Sequence, residues 1–133
     1  MLLCVDNSSH SLRVRKATLE HLGYSVSTAT SAAAALTMLE QMAVAAVLLE
    51  YKSEGMDAEA VAHHIKQRFP DQPIILLSAY AEMPEALLWL VDEYVMRSEP
   101  VERLVEVIER MPRRSDKAVP RATGMARAYH RTA

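Results

Sequence analysis

Five side chains that could do chemistry stand at the ends of apolar runs. Asp6 and Asn7 follow Met1–Val5, Glu50 closes Val44–Leu49, Ser78 follows Ile74–Leu77, and Arg97 follows Glu93–Met96. Two carboxylates, an amide, a hydroxyl and a guanidinium brought to one place could bind a cation, hold a phosphoryl group or pair with one another. No Gly-rich phosphate loop and no nucleophile–base pair accompanies them, so a small enzyme is disfavoured. The histidines fall away from the run ends, and His63 and His64 are adjacent, diverging by about 100° on a helix. Neither arrangement suits a zinc site.

What could gather these groups is a sheet. The apolar runs alternate with helical patterns. Ser11 to about Leu22 repeats Leu12, Leu19 and Leu22 on one side and stops at Gly23, as a helix does. Tyr24–Thr28 alternates like a strand, and Ala32–Met42 is Ala-rich and helical. Ala58–Phe69 places Val61, Ile65 and Phe69 four apart before Pro70, with Asp57 as a helix cap. Glu82–Leu90 reads as a helix. Pro100 opens another, with Val101, Leu104, Val105, Ile108 and Met111 on one face. Strand and helix therefore alternate five times. Continuous apolar strands with helices between them imply an α/β fold, a doubly wound five-stranded parallel sheet covered on both faces. Such sheets bind ligands at the carboxyl ends of their strands, where Asp6, Asn7, Glu50, Ser78 and Arg97 stand.

The stretches LLCVDN (2–7), HLGYSVSTAT (21–30), AVLLEYKSEGMDA (46–58), IILLSAY (74–80) and DEYVMRSEP (92–100) lie in register over about residues 1–111. In this order they resemble the receiver domain of two-component response regulators. The resemblance implies a flavodoxin-like (β/α)5 fold of strand order 2-1-3-4-5. It also implies a site in which acidic residues bind Mg²⁺, an aspartate accepts a phosphoryl group from a histidine kinase, and a hydroxyl and a lysine hold its oxygens. Carried over by position, Asp6 matches the first acid and Asn7 replaces the second. Glu50 replaces the phospho-acceptor and Ser78 matches the hydroxyl. Arg97 replaces the lysine, and Ser98 stands where a proline usually follows. Tyr94 matches the aromatic that switches rotamer, and Lys52 lies where a backbone carbonyl is a metal ligand.

These departures point one way. Glu extends its carboxylate by one methylene, roughly 1.5 Å, and an error near 1 Å in phosphoryl transfer can cost about a hundredfold. Asn7 removes a charge, so a Mg²⁺ site at Asp6, Asn7 and Glu50 is weak or lost. Arg97 offers a planar fork suited to a carboxylate. A Glu50–Arg97 ion pair, with Ser78 as a further partner, is expected to stand in for the phosphorylated state. The expectation is an atypical stand-alone receiver that acts by phosphorylation-independent protein contact and needs no cofactor. The alternative is a working single-domain response regulator phosphorylated by a histidine kinase.

The remaining features bear on partners. Ala86–Val91 is apolar throughout, which no surface helix can bury on all sides. Leu88, Trp89 and Leu90 are therefore candidates for a partner or homodimer surface built on the fourth helix, fifth strand and fifth helix. Leu90 stands where receivers place a glycine, so this helix should lack a left-handed end. The chain has 133 residues and is half apolar, enough for one domain, and Cys4 is its only cysteine. No apolar run approaches the roughly 20 residues of a membrane span. With no signal-peptide pattern at the start, the expected compartment is the cytoplasm. From Arg113 onward six Lys/Arg face one Asp, whereas nine face sixteen acids before it. Residues 112–133 are thus expected to be a flexible basic extension of an acidic body. Such a tail supports at most salt-dependent, unspecific contact with nucleic acid.

Overall fold

A computed structural model describes residues 1–51 and 55–112. The expectations placed on Lys52 and on the basic extension beyond Pro112 lie outside the described residues. The elements run β1 (Leu2–Val5), α1 (Ser9–His21), β2 (Val26–Ala29), α2 (Ala32–Gln41), β3 (Ala46–Glu50), α3 (Ala58–Arg68), β4 (Ile74–Ser78), α4 (Glu85–Leu90), β5 (Glu93–Met96) and α5 (Val101–Arg110). All strand pairs are parallel, and the order is β2-β1-β3-β4-β5. The expected doubly wound, flavodoxin-like (β/α)5 architecture is therefore the observed one.

Alternation along each strand divides the core in two. Leu3, Val5, Val47, Leu49, Ile74 and Leu76 face α2, α3 and α4, where Leu39, Val61, Ile65 and Leu87 meet them. Leu2, Cys4, Leu48, Ile75, Leu77 and Val95 face α1 and α5, where Leu12, Leu19, Leu104, Val107 and Ile108 meet them. Because both faces are covered, β1, β3 and β4 are apolar at nearly every position, which is why they read as unbroken runs. Burial pushes the Cys4 thiol up to about 11, so it behaves as a small apolar side chain.

Several boundaries differ from the sequence expectation for local reasons. α1 begins two residues early, because Ser8 caps it by accepting the Ser11 N–H at 3.2 Å. Gly23, at φ +99°, provides the expected stop. β2 starts at Val26 rather than Tyr24, since the Tyr24 N–H donates to Leu19 O as α1 unwinds. α4 begins at Glu85 rather than Glu82, because Pro84 takes the cap position with ψ 137°. Its end at Val91 is extended, φ −99° and ψ 156°, as the lack of a glycine implied. On α5 the buried stripe is Leu104, Val107 and Ile108, with Val105 only half-buried.

Two interactions fix the edge of the sheet. Lys66 of α3 pairs with Asp92 at 3.0 Å, and the same carboxylate oxygen accepts the Ile74 N–H at 2.7 Å. At the opposite end the Arg97 N–H donates to Ser78 O at 2.7 Å, which holds the start of the β5–α5 loop against the end of β4.

Candidate functional site

The carboxyl ends of β1, β3, β4 and β5 carry the residues expected there. Asp6 follows β1 directly, and its Oδ1 accepts the Ser8 N–H at 2.9 Å, anchoring the start of α1. Asp6 and Glu50 are both buried, and Asn7 is exposed. Asn7 crowds the loop beyond β3. A Cβ placed on Gly55 would stand 3.0 Å from Asn7 Nδ2, and Gly55 itself has φ +78°.

Glu50 is the last residue of β3 and is held by two cations. Arg97 Nη1 lies 3.7 Å from Oε2, and Arg15 Nη2 lies 3.5 Å from Oε1. The first pairing is the one expected from sequence. The second comes from α1 and was not anticipated, although a signal existed. Arg15 sits three residues after Leu12 and four before Leu19, on the core-facing stripe of its helix. Burial pushes the Glu50 carboxyl above its ordinary value. Arg97 and then Arg15 pull it back, and the Asp6 carboxylate adds to the rise.

Ser78 ends β4 and is fully buried, but its hydroxyl turns back on its own loop. Oγ accepts the Tyr80 N–H at 2.8 Å and donates to Tyr80 O at 3.0 Å. The expected contact of Ser78 with the Glu50–Arg97 pair is thus not made, and the three-way link is Arg15–Glu50–Arg97. Tyr80 also meets Tyr51 edge-on, with ring centroids 6.1 Å apart, beside the same strand ends.

The resemblance implies Mg²⁺, and the donor set does not fit it. Mg²⁺ demands near-octahedral oxygen ligands at about 2.0–2.1 Å. Here each Glu50 oxygen faces a guanidinium, and Asn7 brings no charge. Among the described residues no group of three or more His, Cys, Asp or Glu could hold a metal ion.

On the α4–β5 side, Trp89 and Tyr94 are 47% and 42% exposed and line a groove of about 310 Å³ with Leu88. Leu90, expected at the same surface, packs instead against the α2–α3 side of the core. No helix among the described residues is long and apolar enough to cross a membrane.

A family model described as the response regulator receiver domain matches residues 2–109. The transcriptional regulatory protein GlrR of Escherichia coli is 33% identical over 86 residues, covering 65% of this chain and 19% of its own length. The C4-dicarboxylate transport transcriptional regulatory protein DctD of Rhizobium meliloti is 28% identical over 109 residues, covering 80% of this chain and 24% of its own. The chain thus spans a quarter or less of these two relatives. Among solved structures, the response regulator protein TrrA from Thermotoga maritima in complex with Mg²⁺-BeF is similar at 29% identity. The TM-score is 0.73, over 81% of this chain and 95% of that one.

Proposed function

We propose, from the premise that this chain belongs to the response-regulator receiver family, that Glu50 occupies the phospho-acceptor position without being phosphorylated and that the domain signals through protein contact. Receiver domains are signalling modules rather than catalytic enzymes, and the chemistry here agrees. The observation that carries the reading is the double pairing of Glu50, one guanidinium on each carboxylate oxygen. Attack on a phosphoryl donor needs a carboxylate oxygen free to approach in line, with cations placed on the incoming phosphoryl group. In this site the cations are placed on the carboxylate itself.

The partners in this reading are a histidine kinase or a downstream effector, met in the cytoplasm. The residues in play are Asp6, Asn7, Glu50, Ser78 and Arg97, with Tyr94 as the switch aromatic and Arg15 added. Self-association through α4, β5 and α5 belongs to the same proposal. It is supported by the half-exposed rings of Trp89 and Tyr94, since large aromatic side chains anchor interfaces. The test is incubation with acetyl phosphate and Mg²⁺ followed by intact mass. Unchanged mass is expected. A gain of one phosphoryl group mapped to Glu50 overturns the reading in favour of a working response regulator.

A further inference from the structure

The two guanidiniums that hold Glu50 also form a wall of a cavity. It lies between α1 and the β5–α5 side of the sheet and has a volume of about 360 Å³. Leu19, Leu77, Val95 and Leu104 give it apolar walls, and Arg15 and Arg97 stand together on its lining. Glu99 is the acid among the lining residues, and it is engaged by Arg103 at 3.9 Å. Small-molecule sites typically have this make-up, an apolar hollow of about 300–1,000 Å³ with a few convergent polar groups.

The hydrogen-bonding state of the arginines gives the cavity its chemistry. A guanidinium carries five N–H donors. Among the described residues, the ion pairs of Arg15 and Arg97 are with Glu50 alone, at 3.5 and 3.7 Å. Charge-assisted hydrogen bonds of this type close to about 2.7–2.9 Å. Both contacts are therefore long, and among the described residues no other acid pairs with either guanidinium, which leaves N–H donors on both open to a ligand in place of water. Arg15, with a side chain 18% exposed, is the more enclosed of the two, and Arg97, at 45%, is the more open. An anion with two or more oxygens reaching both forks satisfies those donors, and an apolar body attached to it fills the walls.

We propose that this cavity binds a small organic anion, a carboxylate or phosphate monoester on an apolar body, whose charged group takes the Arg15 and Arg97 guanidiniums. Binding draws both cations away from Glu50. The site therefore links an outside ligand to the residue at the phospho-acceptor position. The link rests on the reading above for its signalling consequence, whereas binding itself does not. The ligand supplies a trigger where phosphoryl transfer supplies none.

Titration calorimetry with benzoate and phenyl phosphate tests this, with benzyl alcohol and inorganic phosphate as controls. At least one aromatic anion should saturate one site per chain, benzyl alcohol should not bind, and inorganic phosphate should bind about tenfold more weakly because it leaves the apolar walls unused. The relative strength of benzoate and phenyl phosphate assigns the headgroup. The double variant Arg15→Gln, Arg97→Gln should lose about tenfold or more. Val101→Trp, which fills the hollow from α5 and keeps both arginines, should abolish binding as well. Circular dichroism and thermal melts confirm that each variant is folded. Absence of saturable binding by either aromatic anion, equal binding of benzyl alcohol, or unchanged affinity in both variants overturns the proposal. Phosphorylation of Glu50 in the acetyl phosphate experiment overturns the previous reading alone and leaves the binding result standing.

Discussion

Arg15 of α1 reaches Glu50 at the end of β3 across 3.5 Å, with side chains only 18% and 6% exposed. Arg97 meets the other oxygen at 3.7 Å with a side chain 45% exposed. Arg97 does more than Arg15 to lower the proton affinity of Glu50, but its side chain is the more exposed, so water takes its place more readily than that of Arg15. Arg15→Gln should therefore cost about 1–2 kcal/mol of folding stability, and Arg97→Gln less than about 1 kcal/mol because an exposed pair is screened. Urea unfolding of the two variants checks the order. Equal losses would place the weight of the pairing on charge rather than on burial.

The pH dependence of Glu50 has a definite sign. Its carboxyl is raised above the ordinary value of 4.5, with burial as the leading cause. The folded state therefore favours the protonated form. The stability this residue contributes is complete below the ordinary value and is lost as pH rises through the folded value. Glu50→Gln stays neutral throughout. It should melt at or above the wild-type temperature at neutral pH, and the two should converge as the pH falls to the ordinary carboxylate range. Paired thermal melts from about pH 4 to about pH 8 check this. A variant that melts well below wild type at neutral pH would mean the two ion pairs outweigh desolvation.

Gly55 and Asn7 are coupled through space. Gly55→Ala meets both a left-handed φ of +78° and a side-chain atom at 3.0 Å, while Gly23→Ala meets only a φ of +99° with open space around it. Gly55→Ala should cost more than about 1 kcal/mol. Part of that loss should disappear in an Asn7→Ala background, because shortening residue 7 removes the close contact. A double-mutant cycle measures the coupling, and strict additivity would locate the whole cost in the backbone.

Trp89 is 47% exposed and Tyr94 is 42% exposed on the same groove. Replacing Trp89 by Glu should change monomer stability by less than about 1 kcal/mol, as for a surface position. The same change should weaken concentration-dependent self-association in sedimentation experiments. Wild-type protein that remains monomeric at high concentration argues against the dimer and leaves the groove to another protein.

How much of this was legible in one sequence depended on how local each signal was. β1, β3 and β4 announced themselves, because a strand buried on both faces must be apolar at consecutive positions. Their ends then located Asp6, Glu50 and Ser78, and the Glu50–Arg97 pairing followed from charge. The start of α4 was misplaced although Pro84 was in view, since a proline forbids helical geometry in the residue before it. Arg15 was overlooked because a single cation within an apolar stripe looks like solvated surface until the sheet edge is known. The turning of Ser78 toward Tyr80 had no signal in the sequence, since a hydroxyl chooses among partners that only three dimensions bring together.

On the function proposed above, the strand ends around Glu50 work without metal and phosphoryl group. The most direct measurement is an amide NMR spectrum of the protein titrated with Mg²⁺ and then beryllofluoride, the combination bound in the TrrA structure. The Asp6, Glu50, Ser78 and Arg97 amides should stay unshifted through the titration. Saturable shifts at these four amides, with exchange behaviour marking a bound complex, would contradict the proposed function.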